Sequence, residues 1–488
     1  MQQLRLVLFF LVGTIAVTNY AYAQGNGVVD LNNLPDYAGQ TVPVYVEKDN
    51  TPFDNPITDV GATLGRVLFY DKRISVNNTI ACASCHQQQF AFGDPANVST
   101  GVNGTTGRHS MRLINARFSD ETKFFWDERA NSLEEQTTMP IQDHAEMGFS
   151  GTQGDPTLDS LITKMSNLEY YRILFAAVYG DSMITEDRMQ RAIAQFIRSI
   201  QSFDSRYDAG RSQVPNEGAP FPNFSNQENQ GKMLFLMPPQ FNPTGTRVGG
   251  GVGCAGCHNP PEFDINPNSG NNGVVIAIGG GTDFTNTRSP SLRDVVDASG
   301  TANGAFMHDA GFPTLLSVVN HYDNIQPAPG IDPRLTPGGN GQNLNLTQNE
   351  KINLVAFLET LTGNDVYTNV IWSSPFDAYG NITVIPQSTT GITPGSEVVA
   401  EQFELLQNYP NPFNPTTRIA YRLEKTAMVS LAVYDLLGKQ VAILQDGIQA
   451  SGQYEGEFSA NGLPGGIYLY RLSVDNVHLK TRKMLLVK

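Results

Sequence analysis

From Thr185 to Phe203 the apolar positions fall on one helical face. In TEDRMQRAIAQFIRSIQSF, Ile193, Phe196, Ile197 and Ile200 recur at three- and four-residue intervals. Thr185 stands where an N-cap belongs and acids fill the first turn. Capping boxes announce two more helices, Ser225 with Glu228 in SNQENQGKMLF and Thr347 with Glu350 in TQNEKINLVAFLETLTG, the second predicted to stop at Gly363. The Gly-, Pro- and Asn-rich stretch 209–224 reads as a connection. Past about residue 370 the texture changes. NITVIPQSTTGITPGSEVVA (381–400) has linker composition. Beyond it Ile419, Tyr421 and Leu423, then Val429, Leu431 and Val433, alternate with polar residues, with turns predicted near Gly438, Gly452 and Gly465. A helical body followed by a small all-β module is the expectation, and on its own the module reads as an inert β-sandwich.

The first residues bear on compartment. MQQLRLVLFFLVGTIAVTNYAYAQ places Arg5 ahead of an apolar run and Ala21-Tyr22-Ala23 ahead of Gln24, the pattern of a cleaved signal peptide over 1–23. That run is too short to cross a bilayer, and no later segment is long and apolar enough to do so. The 488 residues suffice for two or three domains. A net charge of -15 argues against nucleic acid or an anionic membrane as partner and would suit a small basic one.

There are 4 cysteines, Cys82 and Cys85 in ACASCHQQQF and Cys254 and Cys257 in GCAGCHNP. Two disulfides are the ordinary reading of four cysteines in an exported chain, but they leave the histidines that follow each pair, His86 and His258, unexplained. A zinc site needs four ligands without a fixed C-x-x-C-H order. C-x-x-C-H is the attachment pattern of c-type haem: both cysteines lie on one helical turn to form thioethers, and the histidine lies under the iron. Two covalent haems are therefore expected. The glycine-rich AIGGGTDF (277–284) lacks the Gly-Lys-Ser/Thr that a phosphate cradle needs.

Haems serve either as electron carriers with both axial positions filled, or as catalysts with one position open. Five other histidines (His109, His144, His308, His321, His478) and 12 methionines leave that choice open on composition. FFWDERANSLEEQTTMPIQDHAEMG (124–148) and SPSLRDVVDASGTANGAFMHDAGFPTLLSVVNHYD (289–323), with the two C-x-x-C-H motifs in this order, resemble the bacterial dihaem cytochrome c peroxidase family, which also contains MauG, an oxidase of tryptophans in a partner protein. The resemblance spans roughly residues 55–365. It implies a peroxidatic N-terminal haem and a C-terminal haem that stores or relays electrons. It matches Trp126, one of 2 tryptophans, to a residue that passes electrons between the haems, and Gln136 and Glu146 to the polar groups over the open iron. A glutamate there would take the first proton of peroxide and return it to the leaving oxygen.

Some positions depart from the family pattern. The loop STGVNGTTG (99–107) lacks the histidine that in relatives blocks the N-terminal haem, so that haem is expected to be open when both irons are ferric. The asparagine that helps bind calcium is replaced by His109 and a nearby proline by Ala305, which leaves calcium to backbone carbonyls. Fourteen residues after His308, where peroxidases of the family carry a methionine, stands Tyr322, as in MauG-type members. A phenolate there would stabilise ferric and higher iron states; Met307 and His321 are its neighbouring rivals. The tail, FELLQNYPNPFNPTTRIAYRL with LPGGIYLYRLSVDNVHLKTRKMLLVK, resembles the sorting domain of type IX secretion, with a carbohydrate- or surface-binding module as the rival reading.

The expectation is a mainly α chain of two tandem cytochrome c-type haem domains, 24–208 and 209–370, a linker 371–400, and an Ig-like β-sandwich sorting domain 401–488. Its expected activity is reduction of hydrogen peroxide with electrons from a small cytochrome or cupredoxin, outside the cytoplasm, in a chain that the family would have as a homodimer. The alternatives are a MauG-like oxidase of a protein or small molecule and a non-enzymatic dihaem electron carrier.

Overall fold

The computed structural model describes residues 25–265, 269–387, 403–423, 425–435, 439–474 and 478–487. The signal peptide expected over 1–23, the later part of the expected linker and the turn near Gly438 lie outside them. The chain divides into two compact units, Met1–Ser388 and Thr389–Lys488.

The first unit carries α1 (Asp59–Tyr70), α2 (Cys82–Cys85), α3 (Leu133–Thr138), α4 (Leu158–Ser166), α5 (Glu169–Tyr179), α6 (Glu186–Ser199), α7 (Arg206–Arg211), α8 (Asn226–Leu236), α9 (Leu315–Asp323) and α10 (Gln348–Glu359). Thr185 caps α6 by accepting from Arg188 N at 3.2 Å, and both predicted capping boxes form. The helix α10 stops at Glu359, short of Gly363, whose amide instead donates to Asp294 Oδ1 at 2.8 Å. Helical content is more modest than a mainly α chain would have. Between α8 and α9 Gly, Pro, Asn and Asp recur too often for a helix to propagate, and the chain runs as turns and two-residue to four-residue strands.

Two hydrophobic cores organise this unit. The first gathers Leu64, Leu68 and Phe69 of α1, Leu174 and Phe175 of α5, and Ile193, Phe196 and Ile197 of α6. The second gathers Phe235 of α8, Leu315 and Val319 of α9, and Leu354, Phe357 and Leu358 of α10. Each is built on a helix pair that meets at a glycine. A Cβ on Gly65 would lie 1.9 Å from the Ala192 carbonyl oxygen and 2.8 Å from Phe196 Cβ. A Cβ on Gly231 would lie 1.9 Å from the Asn353 carbonyl oxygen and 2.9 Å from Phe357 Cβ. The same contact, a glycine against one residue and the phenylalanine four further on, thus occurs once in each core.

Two stretches depart from the expected division. The helix α7 crosses the boundary expected at 208/209, and its Tyr207 is buried in the second core. Residues 371–387, expected as linker, return to the first core: Trp372, Phe376 and Val384 are buried there, and strand Thr383–Ile385 pairs in parallel with Val28–Asp30. Apolar side chains spaced among the serines and prolines decide this, and composition averaged over the stretch hides them.

In the second unit a four-stranded sheet (order Gln440–Gln449, Ala427–Tyr434, Gly466–Val474, His478–Leu486) and a three-stranded sheet (Gly452–Ser459, Thr416–Leu423, Phe403–Leu405) share one core. Ile419, Tyr421 and Leu423 of one sheet and Val429, Leu431 and Val433 of the other supply it, as their alternation requires.

The glycine crossings yield a test. Gly65→Ala and Gly231→Ala should each cost about 1–3 kcal/mol, because the added methyl meets backbone carbonyls that cannot rotate away. Urea unfolding of each variant measures this; full native stability would mean that the helices have room to part.

Candidate functional site

The helix α2 is a single turn, and its backbone closes from His86 N to Cys82 O at 3.0 Å. That turn puts Cys82, Cys85 and His86 on the wall of one cavity. Ile193 and Ile197 of α6 and Phe69 of α1 supply apolar wall, and Gln136 and Glu146 supply polar groups. Gln136 sits on α3, which Ser132 caps and which Glu134 ties to α6 through Arg198 Nη2 at 3.0 Å. Glu146 follows a turn built by Asp143, whose carboxylate accepts from Ala145 N at 2.8 Å and Glu146 N at 3.1 Å. The loop 99–107 docks on the same strip: Val102 N donates to Glu146 O at 2.9 Å, and a Cβ on Gly101 would strike the Ala145 carbonyl at 2.0 Å. Burial, reinforced by Asp143, pushes the Glu146 carboxyl up to about 7.

A second cavity is lined by Cys254, His258, Tyr322, Met307 and Trp126 among others. Cys257 follows the short helix Cys254–Gly256 and does not itself line the cavity. Burial pushes the His258 imidazole down to about 4 and also lowers His86, so both rings are neutral, the form that binds metal. Burial raises the Tyr322 phenol, and so do the nearby Cys257 and Cys254. His321 points elsewhere: its Nε2 lies 3.0 Å from Asn272 O and its ring packs on Phe312. Met307 lines the cavity at a positive φ of 67°, and its sulfur accepts from Asn272 Nδ2 at 3.2 Å.

Trp126 is buried, and its Nε1 donates to His109 O at 2.7 Å. A carbonyl cannot take that proton, so an indole oxidised here keeps it. His109 lines the second cavity and not the first, with Nδ1 at 3.3 Å from Asn97 O. Ser110, the next residue, lines both cavities. The order Trp126, His109, Ser110 is thus a bonded path from the second cavity to the first.

The motif residues therefore separate into two constellations, Cys82, Cys85, His86, Gln136 and Glu146 at one cavity and Cys254, His258, Trp126 and Tyr322 at the other. No disulfide joins the four cysteines, and Cys82 and Cys85 face one cavity while Cys254 faces the other. Among the described residues no group of three or more His, Cys, Asp or Glu converges as a metal site. Each cavity offers what a c-type haem needs, a thiol-bearing turn, a neutral, half-buried histidine and largely apolar walls, so the residues fit that group. Sequence reasoning missed Ser110, Arg112 and Arg288 on these walls. Arg112 carried a signal, a lone charge between Met111 and Leu113.

Comparison with known proteins agrees with this geometry. Residues 59–213 match the family model for di-haem cytochrome c peroxidase, and residues 407–488 match that for the secretion system C-terminal sorting domain. Methylamine utilization protein MauG of Methylophilus methylotrophus is 28% identical over 371 residues, covering 73% of this chain and 95% of that protein. Cytochrome c551 peroxidase of Nitrosomonas europaea is 27% identical over 316 residues, covering 62% of this chain and 80% of that one. Among solved structures, a MauG-like protein associated with microbial copper homeostasis aligns with a TM-score of 0.53 at 26% identity, covering 68% of this chain and 98% of that one. A variant of the diheme peroxidase BthA from Burkholderia thailandensis aligns at 0.50 and 21% identity over 71% of this chain and 96% of that one, a likeness of fold.

Proposed function

Because residues 59–213 match the di-haem cytochrome c peroxidase family model and residues 407–488 that of a secretion sorting domain, we propose that this chain is an exported dihaem c-type enzyme of the peroxidase and MauG family. It reduces hydrogen peroxide to water with electrons that a small redox protein delivers at the C-terminal haem. The observation that carries this reading is the first cavity, where Glu146 and Gln136 share the wall with Cys82, Cys85 and His86.

In this reading Cys82 and Cys85 bind one haem covalently with His86 as its proximal ligand, and Cys254, Cys257 and His258 do the same for the second. Bound haem supplies what no side chain here can, an iron centre able to cleave an O–O bond and a second centre to hold oxidising equivalents. Glu146 does the proton work. As carboxylate it takes a proton from the peroxide oxygen that stays, and it hands that proton to the oxygen that leaves as water. Gln136 donates a hydrogen bond that orients the peroxide. Trp126 carries electrons from the second cavity toward the first. The docked loop 99–107, which has no histidine, leaves the first site open, so no prior reduction is needed.

A second reading, oxidation of a protein or small molecule as in MauG, is favoured by Tyr322. It lines the second cavity, half-buried near the cysteine pair, while His321 is engaged with Asn272. A phenolate ligand there would favour the higher oxidation states that such chemistry draws on.

Three measurements check these assignments. In stopped-flow mixing of the fully ferric enzyme with peroxide, the rate should rise with pH through about 7 and level off above it, because the raised carboxyl is protonated, and no base, below that. Glu146→Gln should slow the reaction about 10²–10⁴-fold and flatten the profile; unaltered kinetics would remove Glu146 from the mechanism. Tyr322→Phe should change the spectrum of the C-terminal haem alone, whereas an unchanged spectrum would pass the ligand position to Met307. Ending the chain at residue 388 should leave an active dihaem enzyme in the periplasm, as the division into two units implies; loss of haem on truncation would contradict it.

A further inference from the structure

Arg112 has no role in the account above. Its stem passes Gly93, where a Cβ would lie 2.9 Å from Arg112 Cγ, and the residue lines the second cavity. The guanidinium Nε is buried without a partner, and Nη2 reaches only the Ser291 carbonyl, at 3.5 Å. The buried arginines nearby are paired, Arg293 with Asp208 at 2.8 Å and Arg288 with Asp264 at 3.5 Å. Among the described residues Arg112 makes no ion pair. Tyr367 and, less strongly, Asp294 feel its charge, but Asp294 Oδ1 is taken by Gly363 N at 2.8 Å and its Oδ2 is buried without a partner. Burial pushes the guanidinium down to about 10, which still leaves it protonated at neutral pH.

A cation whose Nε is buried without a partner, and which no carboxylate hydrogen-bonds, is costly to keep. We propose that Arg112 is the counter-charge of the second haem site, a positioning residue that holds the reduction potential of the haem bound there above the value its ligands alone would set. This rests on the dihaem reading. Reduction adds an electron to that site, and a nearby cation in a low-dielectric wall favours the reduced form. An anionic Tyr322 ligand would act in the opposite sense, so Arg112 keeps a phenolate-ligated haem within reach of an electron donor. Arg112 spans Gly93 of the first half and Ser291 of the second, and the competing explanation is a steric clamp between them.

Spectroelectrochemical titration of the full-length holoenzyme separates these. Arg112→Gln and Arg112→Met should lower the midpoint potential of the C-terminal haem, identified by its response to Tyr322→Phe, while the N-terminal haem moves less. Arg112→Lys, which keeps the charge, should stay near the parent value. Arg112→Met removes a buried charge at similar length, a change that is often neutral or stabilising, and so gives a folded variant to measure. Unmoved potentials in the neutral variants, or a lysine variant that falls as far as glutamine, would overturn the proposal. Haem content measured on the parent protein tests the underlying reading separately: fewer than two haems per chain would sink that reading, whatever Arg112 does.

Discussion

The indole of Trp126 donates to the carbonyl of His109 at 2.7 Å, and the amide of His109 donates to the carbonyl of His308 at 2.9 Å. The Trp126 carbonyl in turn accepts from Arg288 N at 2.7 Å. These bonds stitch four stretches of the chain, around His109, Trp126, Arg288 and His308, into one wall, and the strip 109–112 runs through it with Ser110 on both cavities. Moving that strip would reshape both sites at once. The constraint explains why so much of the surrounding chain is irregular. A segment that must face two cavities and bond to both halves cannot also satisfy a helical ladder.

Electrostatics then distinguishes the two cavities. The first holds a carboxyl that burial raises toward neutrality, on a strip backed by Asp143 and by the docked loop. That is a place for a proton to be taken up and returned. The second holds two arginines, a buried phenol and a deeply neutral imidazole, without a carboxylate among its lining residues. That is a place suited to exchanging electrons, with charge set by fixed groups. One chain thus sets a raised carboxyl beside one cysteine pair and two arginines beside the other.

The two cores repeat a device. Gly65 against Ala192 and Phe196, and Gly231 against Asn353 and Phe357, bring the first and last helices of each core to backbone contact. Close crossing leaves the neighbouring helix faces free to form apolar cavity wall, as Ile193 and Ile197 do for the first site and Leu354 and Leu358 for the second. The β-module is stabilised differently, by two sheets whose alternating residues fill one core.

Much of this was legible along the chain, wherever the determinant was local. Thr185, Ser225 and Thr347 cap helices through bonds spanning three residues. The alternation of Ile419, Tyr421 and Leu423 needs only the strand period, and each C-x-x-C-H motif fits within one turn. Other features depended on partners far away in sequence. Composition called 371–387 a linker, but Trp372 and Val384 find their cavity only once α1, α5 and α6 have assembled the first core. Sequence could set Tyr322 and His321 side by side, but only the fold turns one toward Cys254 and the other toward the Asn272 carbonyl. Arg112 could be read as one more charge in a short polar motif. Its lack of a partner is a property of Gly93, Ser291 and Asp294 meeting around it, because burial and pairing are set by tertiary neighbours, whereas period and capping are set by the chain itself.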